Sequence, residues 1–364
     1  MNIGERLKIA RNAIGYTLEK ASQESGIGQS SISEFENYKR EPKFSQLSKL
    51  AKVYRRTVEF FLSNEPFIEE VMLWRYKPDE EQRAKIEAEF RKLCEQYHRL
   101  EVLTDEVKEF KLPKPDLSKP EEFTYRQAEL FAKEAQKWFR LGDVPIASLK
   151  RILEEVYYIK IFYIEYVGSS ISTVSDQFGP AILLNTQSKQ WRRSYDLAHE
   201  LFHILAWRIF RNQCVEPSDF EEKLADAFAS RFLMPEESIR DRVESKINNK
   251  QISFDQLDDI AREFDVSLEA LIYRIASIYR FEKEDTERYI DTVKKYIGFL
   301  KPRPSYKPNI LPERYCDLAQ RALREGKLSL MQFAKYMGIS YKDAEEYLTD
   351  DEGFKDKNVS ISIA

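Results

Sequence analysis

The stretch Ala198-His199-Glu200-Leu201-Phe202-His203 decides the reading of this chain. It spells H-E-x-x-H and holds two of the three histidines among 364 residues. Positions i and i+4 of a helix share a face, with Cβ atoms about 5–6 Å apart. Two imidazoles so placed can reach one metal ion at about 2.0–2.1 Å each. Glu200 lies one step, about 100°, around the helix from His199. It therefore flanks that ion, where it can take a proton from a water the metal activates. Tyr195, Leu197, Leu201, Leu205 and Ile209 supply apolar packing, and no Gly or Pro interrupts, so the stretch reads as a helix.

A catalytic metal needs a third protein ligand and an open position. Downstream, Glu216, Asp219, Glu221, Glu222 and Asp226 are the candidates. Ser218-Asp219-Phe220-Glu221 fits a capping box, which starts a helix at Ser218 and turns the Glu221 side chain back onto the cap. Glu222 then lies on a different side, and Asp226 shares its face four residues on. This arrangement gives one carboxylate for the metal and another able to accept the N–H of a ligating imidazole. Two His and one Glu suit zinc, with manganese or iron as alternatives. Upstream, residues 159–167 and 180–185 read as strands separated by a Gly/Ser-rich stretch, and 187–193 turns into the metal helix.

Length predicts two or three domains. Apolar content of 42%, charged content of 33% and a mean hydropathy of −0.57 fit a water-soluble chain. No apolar run approaches the roughly 18 residues needed to cross a bilayer, and the N-terminus lacks a signal-peptide core. Cys94, Cys214 and Cys316 match no C-x-x-C spacing and read as reduced thiols of a cytoplasmic protein. His98 has no His or Cys at ligand spacing and reads as a surface or packing residue.

Residues 1–65 read as five short helices. Thr17 caps the second, and Gly26-Ile27 makes the turn into the third. Gln29, Ser30, Ser31 and Ser33 open that third helix and can hydrogen-bond base edges and phosphates. Lys39, Arg40 and Lys43 follow as candidate phosphate contacts. Up to Ser63 there are eleven Lys/Arg against seven Asp/Glu, a basic segment inside a chain of net charge −4. Residues 66–103 read as charged and helical, carrying Leu73, Trp74, Ile86, Phe90, Leu93, Tyr97, Leu100 and Leu103; a homodimer seam is compatible with the later part. Pro113, Pro115 and Pro120 mark a linker.

On these residues the chain resembles two families. Arg6-Leu7, Arg11, Thr17, Ala21, Gly26-Ile27, Ile32, Glu36, Pro42 and Leu50-Ala51 are similar to XRE-type (Cro/repressor-like) helix-turn-helix domains; Leu18 stands where that family usually has a Gln phosphate anchor. The run from Arg193 to His203, then Glu222, Ala225, Asp226, Phe228-Ala229 and Leu233-Met234-Pro235, resembles the ImmA/IrrE-type metallopeptidases, which have the gluzincin layout. Residues 260–274 match that group's usual continuation. Phe202 stands where Gly is frequent, and Asp226 where Asn is frequent.

The resemblance implies a multidomain chain. It would have an all-α helix-turn-helix domain at 1–65 and a helical connector with a Pro-rich linker at 66–122. An α+β zincin-like metallopeptidase domain at 123–300 and a small helical C-terminal module at 301–364 follow. Within the last, Ser329 to Gly338-Ile339 repeats the spacing of Thr17 to Gly26-Ile27, and 359–363 could add a strand. The family commonly cleaves or antagonises XRE-type repressors, releasing stress, mobile-element or phage genes. The implied roles are His199, His203 and Glu222 for zinc, Glu200 as proton acceptor, and Asp226 behind the ligands. The implied partners are DNA, through 1–65, and a repressor protein as substrate, with no membrane. The alternative is a transcription regulator or toxin–antitoxin component whose metal domain senses or binds a partner without proteolysis.

Overall fold

The computed structural model describes residues 2–62, 71–76, 78–211, 216–249, 251–300, 302–303 and 307–354. Five helices come first: α1 (Ile3–Ala13), α2 (Leu18–Ser25), α3 (Gln29–Glu36), α4 (Phe44–Val53) and α5 (Val58–Leu62). A two-residue strand β1 (Leu73–Trp74) precedes the long α6 (Glu80–Leu103). Then come α7 (Tyr125–Trp138), α8 (Ile146–Glu155), β2 (Lys160–Ile164), β3 (Ser170–Ser175), β4 (Gly179–Asn185), α9 (Gln190–Leu205), α10 (Trp207–Phe210) and α11 (Asp219–Leu233). The described chain closes with α12 (Glu236–Lys246), α13 (Phe254–Glu263), α14 (Leu268–Tyr279), α15 (Lys283–Tyr296), α16 (Glu313–Arg324), α17 (Leu330–Met337) and α18 (Tyr341–Phe354).

These elements form two compact units. One is Met1–Ile68 with Arg83–Glu109 and Leu311–Ala364; the other is Glu69–Gln82 with Phe110–Ile310. The segment read as a connector is thus divided between them, and the C-terminal helices group with α1–α5 and most of α6.

In the first unit, Thr17 Oγ1 accepts from Lys20 N at 3.1 Å, and Gly26 ends α2 with φ +66°, a left-handed conformation that only Gly adopts cheaply. Leu7, Ala10, Ala21, Ile27, Ile32, Phe35, Leu47 and Leu50 fill its core. Arg11 clamps α1 to α3 through both oxygens of Glu36, at 2.7 and 2.8 Å. α6 joins this core at Ala88, and Arg56 pairs with Glu95 at 2.6 Å. At its far end Tyr97 meets Tyr315 edge-on at 5.4 Å, and Arg314 reaches Glu101 at 2.6 Å. Ser329 caps α17, and Gly338 ends it at φ +67°, repeating the geometry of α2. The strand expected at 359–363 lies outside the described residues.

In the second unit a four-stranded sheet has the order β1-β3-β4-β2. β2 runs parallel to β4 (Ile161↔Ile182), β3 antiparallel to β4 (Ile171↔Leu183), and β1 antiparallel to β3 (Leu73↔Ser172). Two of these strands correct the sequence reading. Leu73 and Trp74 are a strand, not part of a helix, and the Gly/Ser-rich stretch contains β3. α11 packs on both α7 and α9 around Phe123, Phe131, Phe202, Phe228 and Phe232, all buried.

Candidate metal centre and nucleic-acid interface

α9 is buried along its last eleven residues except where Tyr195 reaches the surface, so its polar side chains must find partners inside the protein. His199 and His203 are essentially inaccessible, and their Nε2 atoms lie 3.3 Å apart. α11 brings Glu222 to them: Oε2 is 3.2 Å from His199 Nε2, and Oε1 is 3.3 Å from His203 Nε2. A tetrahedral ion with bonds of about 2.0–2.1 Å needs donor atoms about 3.3–3.4 Å apart. The two Nε2 atoms meet that spacing, and one ligand atom from each of the three residues lies within 4.8 Å of the others. His199, His203 and Glu222 therefore fit a divalent cation.

Each imidazole is held from behind. His199 Nδ1 donates to Asp226 Oδ1 at 2.9 Å, as the i+4 spacing predicts. His203 Nδ1 donates to Glu221 Oε1 at 2.9 Å, and Arg211 holds both oxygens of that carboxylate. This corrects the role expected of Glu221. Ser218 does cap α11, accepting from Glu221 N at 3.1 Å, but the Glu221 side chain goes to His203 and not back to the cap. Its i−1 relation to Glu222 was the only hint in the sequence.

The charges suit this geometry. Burial works against a charged His203, but Glu221 and Glu222 outweigh it and raise its pKa to about 9. Burial likewise pushes Glu222 upward, yet the two imidazoles hold it well below the usual carboxylate range. Asp226 is lowered against the same burial by His199 and Arg75.

Glu200 is buried next to these ligands. Ser170 Oγ on β3 donates to Glu200 Oε1 at 2.6 Å, which fixes the carboxylate. Oε2 is buried and has no hydrogen-bond partner among the described residues. A buried carboxylate oxygen left open beside a metal-ligand triad is placed to accept a proton. Neither Ser170 nor Arg75 stood out in the sequence. Arg75, just after β1, pairs with Asp196 Oδ1 at 2.6 Å and Asp226 Oδ1 at 2.7 Å. A cavity of about 250 Å³ opens beside them, lined by Arg75, Trp191, Tyr195, Asp226 and Tyr273 among others.

In the first unit, Gln29 and Ser30 are exposed in the first turn of α3. Ser31 and Ser33 are half-buried, and Ser33 Oγ accepts from Asn37 at 3.3 Å. Lys39, Arg40 and Lys43 are exposed, although Arg40 leans on Glu34 at 3.5 Å and over the Phe35 ring. His98, far in sequence from the metal centre, sits 3.5 Å from Glu101.

Two family profiles match this geometry. Residues 154–276, which contain β2 through most of α14 and the whole triad, match a peptidase-family profile described as an IrrE N-terminal-like domain. Residues 7–61 match a helix-turn-helix profile. The chain thus carries one segment similar to helix-turn-helix domains and one similar to an IrrE N-terminal-like domain. Its helix-turn-helix part is similar to the HTH-type transcriptional regulator ImmR of Bacillus subtilis (strain 168), with 34% identity over 65 residues, 18% of this chain and 51% of that protein. The chain thus spans about half the length of that relative. The matched segment 154–276 contains His199, His203 and Glu222 and lies wholly within the second unit. No helix among the described residues is long and apolar enough to cross a membrane.

Proposed function

We propose that the chain is a zinc-dependent endopeptidase tethered to a DNA-binding domain, and that it cleaves an XRE-type transcriptional repressor. The observation that carries this is the open Oε2 of Glu200 beside the His199, His203 and Glu222 triad. His199, His203 and Glu222 would hold the cation, which would supply Lewis-acid polarisation of the scissile carbonyl and a lowered pKa for the attacking water. Glu200 Oε2 accepts the proton of that water and delivers it to the leaving amine nitrogen. Ser170 keeps the carboxylate turned toward the reaction, and Asp226 and Glu221 keep both imidazoles in the Nδ1–H tautomer that frees Nε2.

The helix-turn-helix match and the likeness to a transcriptional regulator support DNA as the partner of α3, with Gln29, Ser30, Ser31 and Ser33 toward bases and Lys39, Arg40 and Lys43 toward phosphates. A DNA-bound substrate places the protein in the cytoplasm. The test is incubation of the purified chain with candidate repressors, with and without chelator, read by mass spectrometry. Discrete fragments that vanish with chelator and in Glu200→Gln are expected. Unchanged cleavage by Glu200→Gln would remove Glu200 from the mechanism. Operator binding with no cleavage of any repressor would favour the regulator that holds a partner without turnover.

A further inference from the structure

The sheet edge beside the candidate site is taken by the chain itself. β3 carries Ser170, whose hydroxyl holds Glu200, so a peptide running along the outer edge of β3 lies next to that base. β1 fills this edge, with Leu73 opposite Ser172 and Trp74 opposite Ile171, and Arg75 N–H extends the ladder to Ser170 O at 3.2 Å. Adding an extended peptide to a sheet edge is a general mode of recognition, in which main-chain bonds hold the strand and pockets take its side chains.

β1 has both marks. Trp74 lies edge-on against Tyr166 at 6.0 Å. Its slot exists because Gly168 has no Cβ; a Cβ there would meet Tyr166 at 2.9 Å and Trp74 at 3.1 Å. Arg75 then enters a socket made by Asp196 and Asp226. The Asp226 oxygen it touches is the one that accepts from His199 Nδ1. One short segment thus contacts the support of a metal ligand and runs past the base. Its ladder is only two residues long, against about 5–6 for an ordinary strand, so the Trp74 slot and the Arg75 socket do most of the holding.

We propose that residues 71–76 are an internal strand that occupies the substrate edge of the site and must leave β3 before another peptide can pair there. This rests on the peptidase reading above. The peptide that replaces it has the same chemistry: extended, with an aromatic residue followed by a basic one, antiparallel to β3.

The test uses the zinc-loaded, full-length Glu200→Gln chain and a fluorescent peptide copying residues 71–76, with binding read by anisotropy. Arg75→Gln removes the side-chain latch, and Leu73→Pro breaks the ladder without touching it. Each is expected to bind the peptide at least tenfold more tightly than the parent. Hydrogen exchange on the unmodified chain needs no variant: amides of 71–76 are expected to exchange at least a hundredfold faster than those of β4. Affinity unchanged in both variants, or exchange as slow as in β4, would overturn the proposal and make β1 a permanent strand. Tighter peptide binding by the variants, together with no repressor cleavage by the zinc-loaded chain that retains Glu200, would sink the peptidase reading but leave the displaceable strand standing.

Discussion

The two imidazoles are supported unequally. His199 leans on Asp226, whose side chain is about half exposed, whereas His203 leans on Glu221, which is buried and held by Arg211. Glu221→Gln keeps the shape but removes the charge that makes the imidazole a better donor to a metal. Zinc affinity is expected to fall about 10–100-fold, read by competition with a chromophoric chelator. The same contacts set a pH dependence. His203 moves from 6.5 to about 9 on folding, so its protonated form is worth more in the folded chain. The metal-free protein should therefore keep this stabilisation below about pH 6.5 and lose it progressively as the pH climbs through about 9. Urea midpoints of the chelated protein across that window check the direction. Zinc uptake, which needs neutral imidazole, should strengthen over the same range.

Among elements, α9 and α11 were legible because their signals are local. H-E-x-x-H fixes a helix face, and Ser218 marks where the next helix starts. Ser218→Ala should cost about 1 kcal/mol of stability, within roughly 0.5–2, by urea denaturation. It should also loosen the helix start from which Glu222 projects. β3 was not legible. Ser170, Ser172, Thr173 and Ser175 look like a loop by composition, yet all are buried in the sheet. Two of their hydroxyls have partners that only the fold defines: Ser170 donates to Glu200, and Thr173 to the carbonyl of Val71 at 2.8 Å. β1 was hidden for a different reason, since two residues are too few to show alternation. Glu221 misled because a local capping pattern and a long-range imidazole compete for one side chain, and burial favours the imidazole.

At the scale of the molecule, His199, His203 and Glu222 lie in one unit and the C-terminal helices in the other. Zinc at a hundred times its dissociation constant should stabilise the second unit by about 2.7 kcal/mol. Ending the chain after Ile310 removes α16–α18, and with them the Tyr315 and Arg314 contacts to α6. Calorimetry of that truncated chain should show a weakened metal-independent transition and an unchanged zinc-dependent one. The helix-turn-helix domain and the triad were both visible from sequence, but the grouping of α1–α5 with α6 and α16–α18 was not, because it depends on pairs such as Tyr97 and Tyr315 more than two hundred residues apart. That discontinuity has a consequence for synthesis. About 200 residues separate Glu109 from Leu311, which a ribosome adding roughly 5–20 residues per second takes on the order of 10–40 s to make. Residues 154–276, with His199, His203 and Glu222, are translated whole within that interval, so a nascent chain carries all three side chains before its first unit has all its helices.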